Sequence, residues 1–499
     1  MRVRVLTAST LVVILMCLSA CGANLSPHTA AVDNPLQTKA TKENYLSGAA
    51  FCETYKKLTN LEVAVRLSVP KFYDHPEIGM LTIYAYTLKP FDPSKPSYIF
   101  VDGGPGQNTH GLIGDYLNGD ANEIRFDQRG LGCSAPPTWD EYTDVRLYSS
   151  LNNIRDIDEV RKAYGLNKWS VYGVSYGTVP ATMYGSKFAE HVTSVVLEGV
   201  LGDTSVIGDP QYKADKLNLV LQLLTAAQRV SFTTLMTEHD AAGRSTPDSS
   251  ALKAYMFQFF YSDKGMTKFA EKLNSFIFPD GTISRSNLQK LRERNEARSA
   301  EYSHPQQPGA VDENMLTIIY CKDLAARHRL ATWVAYRDSE FYVKTYFDER
   351  PGDECDQAGV KASDETPYLI KDYTTAVPVY YFQGAYDGAT LAIGAIKHWQ
   401  IVPTSKSYFM LARKGGHNPN LTRLESENPS IVHAERRLFE KAILGQEITQ
   451  DEINADNMAQ TPDQHWELYL SPNSAGLMDG ALAGIDSFMS VLMPLKAAL

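Results

Sequence analysis

Apolar and polar positions begin to alternate at Leu61. Leu61 to Val69 and Gly79 to Lys89 both read as strands, joined by a turn bearing Pro, Asp and His; Leu81-Thr82-Ile83-Tyr84-Ala85-Tyr86 sits in the second. Two short apolar runs follow. Ser97 to Val101 ends in Asp102-Gly103-Gly104-Pro105-Gly106, and Glu123 to Phe126 ends in Asp127-Gln128-Arg129-Gly130. Helical spacing covers Leu151 to Tyr164, a buried strand Lys168 to Tyr172, a helix Thr178 to His191, and a strand Thr193 to Leu197. Pro180 falls in the first turn of its helix, where a missing N–H costs little. Short strands alternating with helices predict a mostly parallel sheet flanked by helices, an α/β fold.

The rhythm stops between about 202 and 372. There Lys213 to Gln228, Ser249 to Tyr261 and Met266 to Phe276 read as helices with no buried strand between them. It resumes with strands at Val377 to Gln383 and Ser407 to Leu411 and a helix from about Ser430 to Leu444. The organisation expected is a first half of the core over 46–201, an inserted, mainly helical cap over 202–372, a second half over 373–445 and a C-terminal extension over 446–499. The end of that extension, Leu477 to Leu499, is moderately amphipathic and reads as a helix packed on the core. No repeat of fixed period appears.

The N-terminus adds a compartment. Arg2 and Arg4 precede an apolar run, Val5 to Leu18, too short and wrongly flanked to span a bilayer. It closes on Leu18-Ser19-Ala20-Cys21-Gly22, which resembles the bacterial lipobox, where the cysteine sulfur receives a diacylglyceryl group. The expectation is a signal peptide over 1–20, Cys21 carrying lipid, and a polar tether over 21–45 with Pro27 and Pro35. Such a protein is exported and membrane-anchored, and by resemblance to the lipoprotein sorting rule Gly22 favours an outer membrane if the cell has one. In an export compartment the four remaining cysteines are expected to pair. Locality favours Cys321–Cys355, which leaves Cys52–Cys133. Charge adds little: 58 acidic against 48 basic residues, with no basic cluster, give no footprint for nucleic acid.

Trp169-Ser170-Val171-Tyr172-Gly173-Val174-Ser175-Tyr176-Gly177 carries the chemistry. A strand runs into G-x-S-x-G and then a helix, which puts a serine on a tight turn at a helix N-terminus, in the manner of the α/β-hydrolase nucleophile. A serine nucleophile needs a base and the base a carboxylate, in the chain order Ser, acid, His. Asp387 follows the strand Val377 to Gln383 on a loop, favoured over Asp372 and Asp364 by that context. His417 follows the next strand in Gly415-Gly416-His417-Asn418. The oxyanion donors expected are the backbone N–H groups of Tyr176 and Gly104, with Gly103 next; Pro105 has none to give. Asp127 and Arg129 read as an internal ion pair pinning a turn.

Gly103-Gly104-Pro105-Gly106, Phe126-Asp127-Gln128-Arg129-Gly130-Leu131-Gly132-Cys133-Ser134, Gly173-Val174-Ser175-Tyr176-Gly177-Thr178 and Val195-Val196-Leu197-Glu198-Gly199-Val200, as an ordered set, resemble the proline iminopeptidase and tripeptidyl aminopeptidase family of α/β-hydrolases. The resemblance implies Ser175, Asp387 and His417 as triad. The chain departs from the family at Asp102, where the iminopeptidases have His, at Glu198, where tripeptidyl members often have Asp, and at Leu391, in place of Pro after Gly388-Ala389-Thr390. The expected function is a serine aminopeptidase, with a carboxylesterase of small acyl substrates as the alternative and a non-catalytic binding lipoprotein as the third reading. A free N-terminus calls for a carboxylate in a water-poor cleft, and Glu198 and Asp323 are the candidates, either of which could instead be a solvated acid. No cofactor motif and no metal-ligand spacing appear. The partner expected is a peptide or small acyl substrate, and the sequence leaves the oligomeric state open.

Overall fold

The computed structural model describes residues 41–59, 63–111, 115–202, 221, 223–238, 240, 246–260, 265–301, 308–324, 355, 359–360 and 372–470. Cys21, most of the tether, Asp364 and the expected helix over 477–499 lie outside them.

The N-terminal helix α1 (Gly48–Thr54) leads into β1 (Ala64–Pro70) and β2 (Met80–Thr87), and β3 (Ser97–Val101) and β4 (Asn122–Asp127) follow. Then come α2 (Ser150–Ala163), β5 (Trp169–Val174), α3 (Thr178–Lys187) and β6 (Val192–Glu198). Four helices of the insertion are α4 (Ala226–Met236), α5 (Pro247–Phe260), α6 (Gly265–Leu273) and α7 (Arg285–Glu301), with α8 (Glu313–Ile319) after them. The chain continues through β7 (Val379–Gly384), α9 (Ala392–Ile401), β8 (Ser407–Ala412), α10 (Pro419–Leu424), α11 (Pro429–Ile443), α12 (Gln450–Asn457) and β9 (Trp466–Tyr469).

The strands form one sheet in the order β1-β2-β4-β3-β5-β6-β7-β8-β9. All pairings from β4 through β8 are parallel, and β1, β2 and β9 are joined antiparallel at the two edges. Both faces are covered, so the central strands are buried along their whole length. Ile99, Val171 and Val195 point into one core with Ile154 and Ile157 of α2, while Phe100, Tyr172 and Val196 point into the other with Leu438 and Phe439 of α11. From β3 the chain goes to β4 on one side and reaches β5 on the other. That reversal makes the carboxyl ends of β3 and β5 the switch point where open α/β sheets hold their ligands.

Three details lie beyond the sequence reading. Of the helix read over Lys213 to Gln228, residues 213–220 and 222 lie outside the described ones; Leu221 is helical, and a separate helix starts at Ala226, where Thr225 and Gln228 form a reciprocal capping box. Within the C-terminal extension, β9 extends the sheet beside β8 and Trp466 is buried in the second core. The insertion also divides in two. Helices α4 to α7 share a core of their own, with Phe232, Leu252, Phe269 and Leu288 in it. Residues 308–324 instead pack Met315, Ile318 and Leu324 into the first core of the sheet.

The sulfurs of Cys52 and Cys133, and those of Cys321 and Cys355, are at bonding distance, with Cα atoms 5.3 and 5.5 Å apart. These are the two pairings expected from spacing. Their separations of 81 and 34 residues correspond to about 4 kcal/mol each by chain entropy.

Candidate active site

Ser175, Asp387 and His417 follow β5, β7 and β8, all at the carboxyl edge of the sheet. Ser175 opens a single helical turn, Ser175–Gly177, between β5 and α3 and has φ 55, a left-handed conformation that non-glycine residues seldom adopt. The turn is this tight because Gly177 lies against the backbone of Val101, where a Cβ would collide with the carbonyl group. A bulkier residue at that position would push the serine off the sheet edge.

Asp387 and His417 are buried, and His417 Nδ1 lies 2.9 Å from Asp387 Oδ2. The carboxylate is held on every side. Oδ1 accepts from the N–H groups of Ala389 and Thr390, both at 2.8 Å, and Oδ2 accepts from the Thr390 hydroxyl at 2.7 Å and Gln383 Nε2 at 3.1 Å. With Nδ1–H donated to this acceptor-only group, a neutral imidazole keeps its lone pair on Nε2. The register Val174↔Glu198 sends Ser175 and Gly199 out of the sheet side by side. Gly199, at φ 57, lies so close to His417 that a Cβ would stand 2.8 Å from Cε1. Serine and histidine therefore flank one glycine. Asp372, the rival acid, stands away from this cluster beside Lys187, Phe188 and Tyr373.

Gly103 packs on the serine: a Cβ there would come within 3.0 Å of Ser175 Cβ. Its N–H is donated to Asp102 Oδ1 at 2.7 Å, and Tyr176 lies in the first turn after β5. Asp102 is buried, and burial pushes its carboxyl up to about 7 against the pull of the Gly103 N–H.

The other site residues read from sequence are engaged elsewhere. Glu198 and Asp323 are both buried, not solvated. Glu198 accepts from Tyr172, Asn420 and Leu421. Asp323 accepts from the N–H and hydroxyl of Ser150 at 2.5 and 2.7 Å, at the start of α2, and burial raises its pKa. Ser150 Oγ is in turn 3.0 Å from the Tyr176 hydroxyl. Both carboxylates thus make internal hydrogen bonds, Glu198 to β5 and the segment after His417, Asp323 to the start of α2. Asp127 and Arg129 do not pair with each other. Asp127 is bonded by His110, Thr109 and the Cys133 N–H, and Arg129 forms a bidentate pair with Asp156. Their side chains leave the turn in different directions, which residue type alone does not encode.

Sequence reasoning passed over Thr390, which reaches both Asp387 and His417 Nδ1, the latter at 3.2 Å. Its signal was Gly388-Ala389-Thr390 directly after the acid. Among the described residues one group of metal-ligand type lies close together, His110, Asp127 and Cys133. The Cys133 sulfur is bonded to Cys52, which leaves two ligands.

Residues 99–424 match the family model described as alpha/beta hydrolase fold. The chain belongs to the α/β-hydrolases. This hydrolase is 31% identical over 133 residues to the probable proline iminopeptidase of Streptomyces coelicolor, a match covering 26% of this chain and 40% of that protein. It is 32% identical over 110 residues to the proline iminopeptidase of Neisseria meningitidis serogroup A, covering 22% of this chain and 34% of that one. The matched stretches thus span two-fifths or less of those relatives. Among solved structures, proline iminopeptidase of Mycobacterium smegmatis aligns over 79% of the hydrolase and all of that chain, at 14% identity and a TM-score of 0.39. The resemblance to proline iminopeptidases therefore holds over part of the chain, at the level of sequence.

Proposed function

We propose that this hydrolase is a serine peptidase of aminopeptidase type, releasing residues or short peptides from free N-termini. The observation that carries the reading is the His417–Asp387 bond at 2.9 Å beside a serine on a strained strand-to-helix turn. Ser175 Oγ attacks the scissile carbonyl while His417 Nε2 takes its proton, and Asp387 stabilises the imidazolium that results. The oxyanion is met by the N–H groups of Tyr176 and Gly104. The imidazolium then protonates the leaving amine, and water, activated by the same nitrogen, releases the acyl group from Ser175.

Peptidase over esterase is supported by the partial likeness to proline iminopeptidases, and the long insertion between β6 and β7 fits an enzyme that has to stop a chain beyond the scissile bond. The test compares one peptide series with free and N-acetylated termini. An enzyme that pairs the substrate ammonium with a carboxylate loses at least about 10²-fold in kcat/KM on acetylation, because the partner is left buried and unpaired. Equal rates on both, or turnover of short acyl esters alone, assign the protein to the carboxylesterases.

We further propose that the hydrolase is exported and held at a membrane by lipid on Cys21, on the strength of Leu18-Ser19-Ala20-Cys21. Cys21→Ala should accumulate as unprocessed precursor on an immunoblot. A variant cut at the same place and still recovered with membranes would refute the anchor.

A further inference from the structure

Glu198 ends β6 with its side chain fully buried, and burial pushes its carboxyl up to about 7 against the pull of the groups that donate to it. Those donors have a pattern. Oε1 accepts from the backbone N–H groups of Asn420 at 2.8 Å and Leu421 at 3.1 Å, and Oε2 from the Tyr172 hydroxyl and from Asn420 Nδ2 at 3.3 Å. Two amides, a hydroxyl and a carboxamide all converge on one side chain, and an ionised carboxylate is the acceptor-only group that satisfies all of them. A glutamine would turn an NH₂ towards the NH₂ of Asn420, and an aspartate would fall short by a methylene.

The two amides belong to the first turn of α10, directly downstream of His417. The residue after Glu198 closes the other side, since a Cβ on Gly199 would stand 2.6 Å from the His417 carbonyl oxygen and 2.9 Å from Nδ1. The end of β6 therefore grips the His417 loop twice, by its backbone at Gly199 and by the Glu198 carboxylate, three and four residues beyond the histidine. Asp387 orients the imidazole itself, and nothing in that bond fixes how far the ring stands from Ser175.

We propose that Glu198 is a positioning residue that sets the His417 backbone relative to the nucleophile, and so fixes the distance over which the proton is transferred. The proposal rests on reading Ser175, His417 and Asp387 as the triad. A base displaced by about 1 Å loses about 10²-fold in rate. Glu198→Ala should therefore lower kcat by about 10²-fold with KM within about threefold of the wild type, and Ser175 labelling by a fluorophosphonate should slow by the same factor. The downfield proton resonance of the His417–Asp387 bond should weaken in parallel. Glu198→Gln, which keeps an acceptor for the two backbone amides, should recover most of the rate, and Glu198→Asp should not. If Glu198→Ala does not fold, the Gln and Asp variants decide by the same measurements. A merely structural role predicts a lower melting temperature with kcat and labelling rate unchanged, and that result, or a parallel change in kcat and KM, overturns the proposal. Failure of the triad reading looks different: Ser175→Ala would keep its turnover and the probe would label another residue.

Discussion

Ser175→Ala should lower kcat/KM on a chromogenic peptide by about 10⁴–10⁶-fold, and His417→Ala should be about as damaging, because nucleophile and base act as one unit. Asp387→Asn should cost about 10⁴-fold even though it changes only one atom. Asp387 Oδ2 lies against His417 Nδ1, the Thr390 hydroxyl and Gln383 Nε2. An amide NH₂ placed there faces donors and favours the imidazole tautomer with its proton on Nε2, the nitrogen that has to receive one. The double variant Ser175→Ala with His417→Ala should be little worse than either alone. A fluorophosphonate probe should label Ser175 in the wild type and not in Ser175→Ala. Most of the activity surviving in Ser175→Ala would dismiss the triad and the peptidase reading with it.

The largest effect on stability is expected at Arg129. Its guanidinium meets Asp156 through two bonds, 2.7 and 2.6 Å, and donates a third to the Leu147 carbonyl at 3.1 Å. Both side chains are at most 2% exposed. Breaking such a pair from one side leaves an uncompensated buried charge, so Arg129→Ala should cost about 3–5 kcal/mol. Among the described residues Asp156 would keep the Tyr73 hydroxyl, at 2.7 Å, as its donor from another side chain. Removing both charges, in Arg129→Leu with Asp156→Leu, should recover much of the loss, since an apolar pair of similar volume often replaces a buried ion pair with little cost. Chemical denaturation followed through the core transition measures both. A single Arg129→Ala variant within about 0.5 kcal/mol of wild type would mean that the pair contributes nothing net.

Most of the sheet was legible because a strand buried on both faces leaves an unbroken apolar run, as in β3, β5 and β7. The candidate triad was legible for a related reason: residues on loops after such strands are brought to one edge whatever their separation in the chain. What the sequence hid was pairing. Glu198 meets Asn420 across 222 residues, and neither the glutamate nor the asparagine announces the other. Arg129 pairs with Asp156 although Asp127 stands two positions away. Helix α7 was passed over because it is polar nearly all round, with Leu288 and Leu291 as its buried contacts. Strand β9 was passed over because Trp466-Glu467-Leu468-Tyr469 is too short to show a period.

The insertion between β6 and β7 is not a removable cassette. Its later described part, 308–324, is bonded to the loop after β3: the Asp312 N–H is donated to the Gly106 carbonyl at 2.8 Å, and the Gly309 N–H to Asn108 Oδ1 at 2.9 Å. Lys322 is tied to the carbonyls of Val145 and Tyr148. Leu391, four residues past Asp387, belongs in turn to the core shared by α4 to α7. Grafting another cap onto this scaffold, or excising this one, would therefore have to spare the segment 308–324. A graft that ignored it would strip the backing from the loop that carries Gly104, while one that respected it would still leave Leu391 facing a new neighbour.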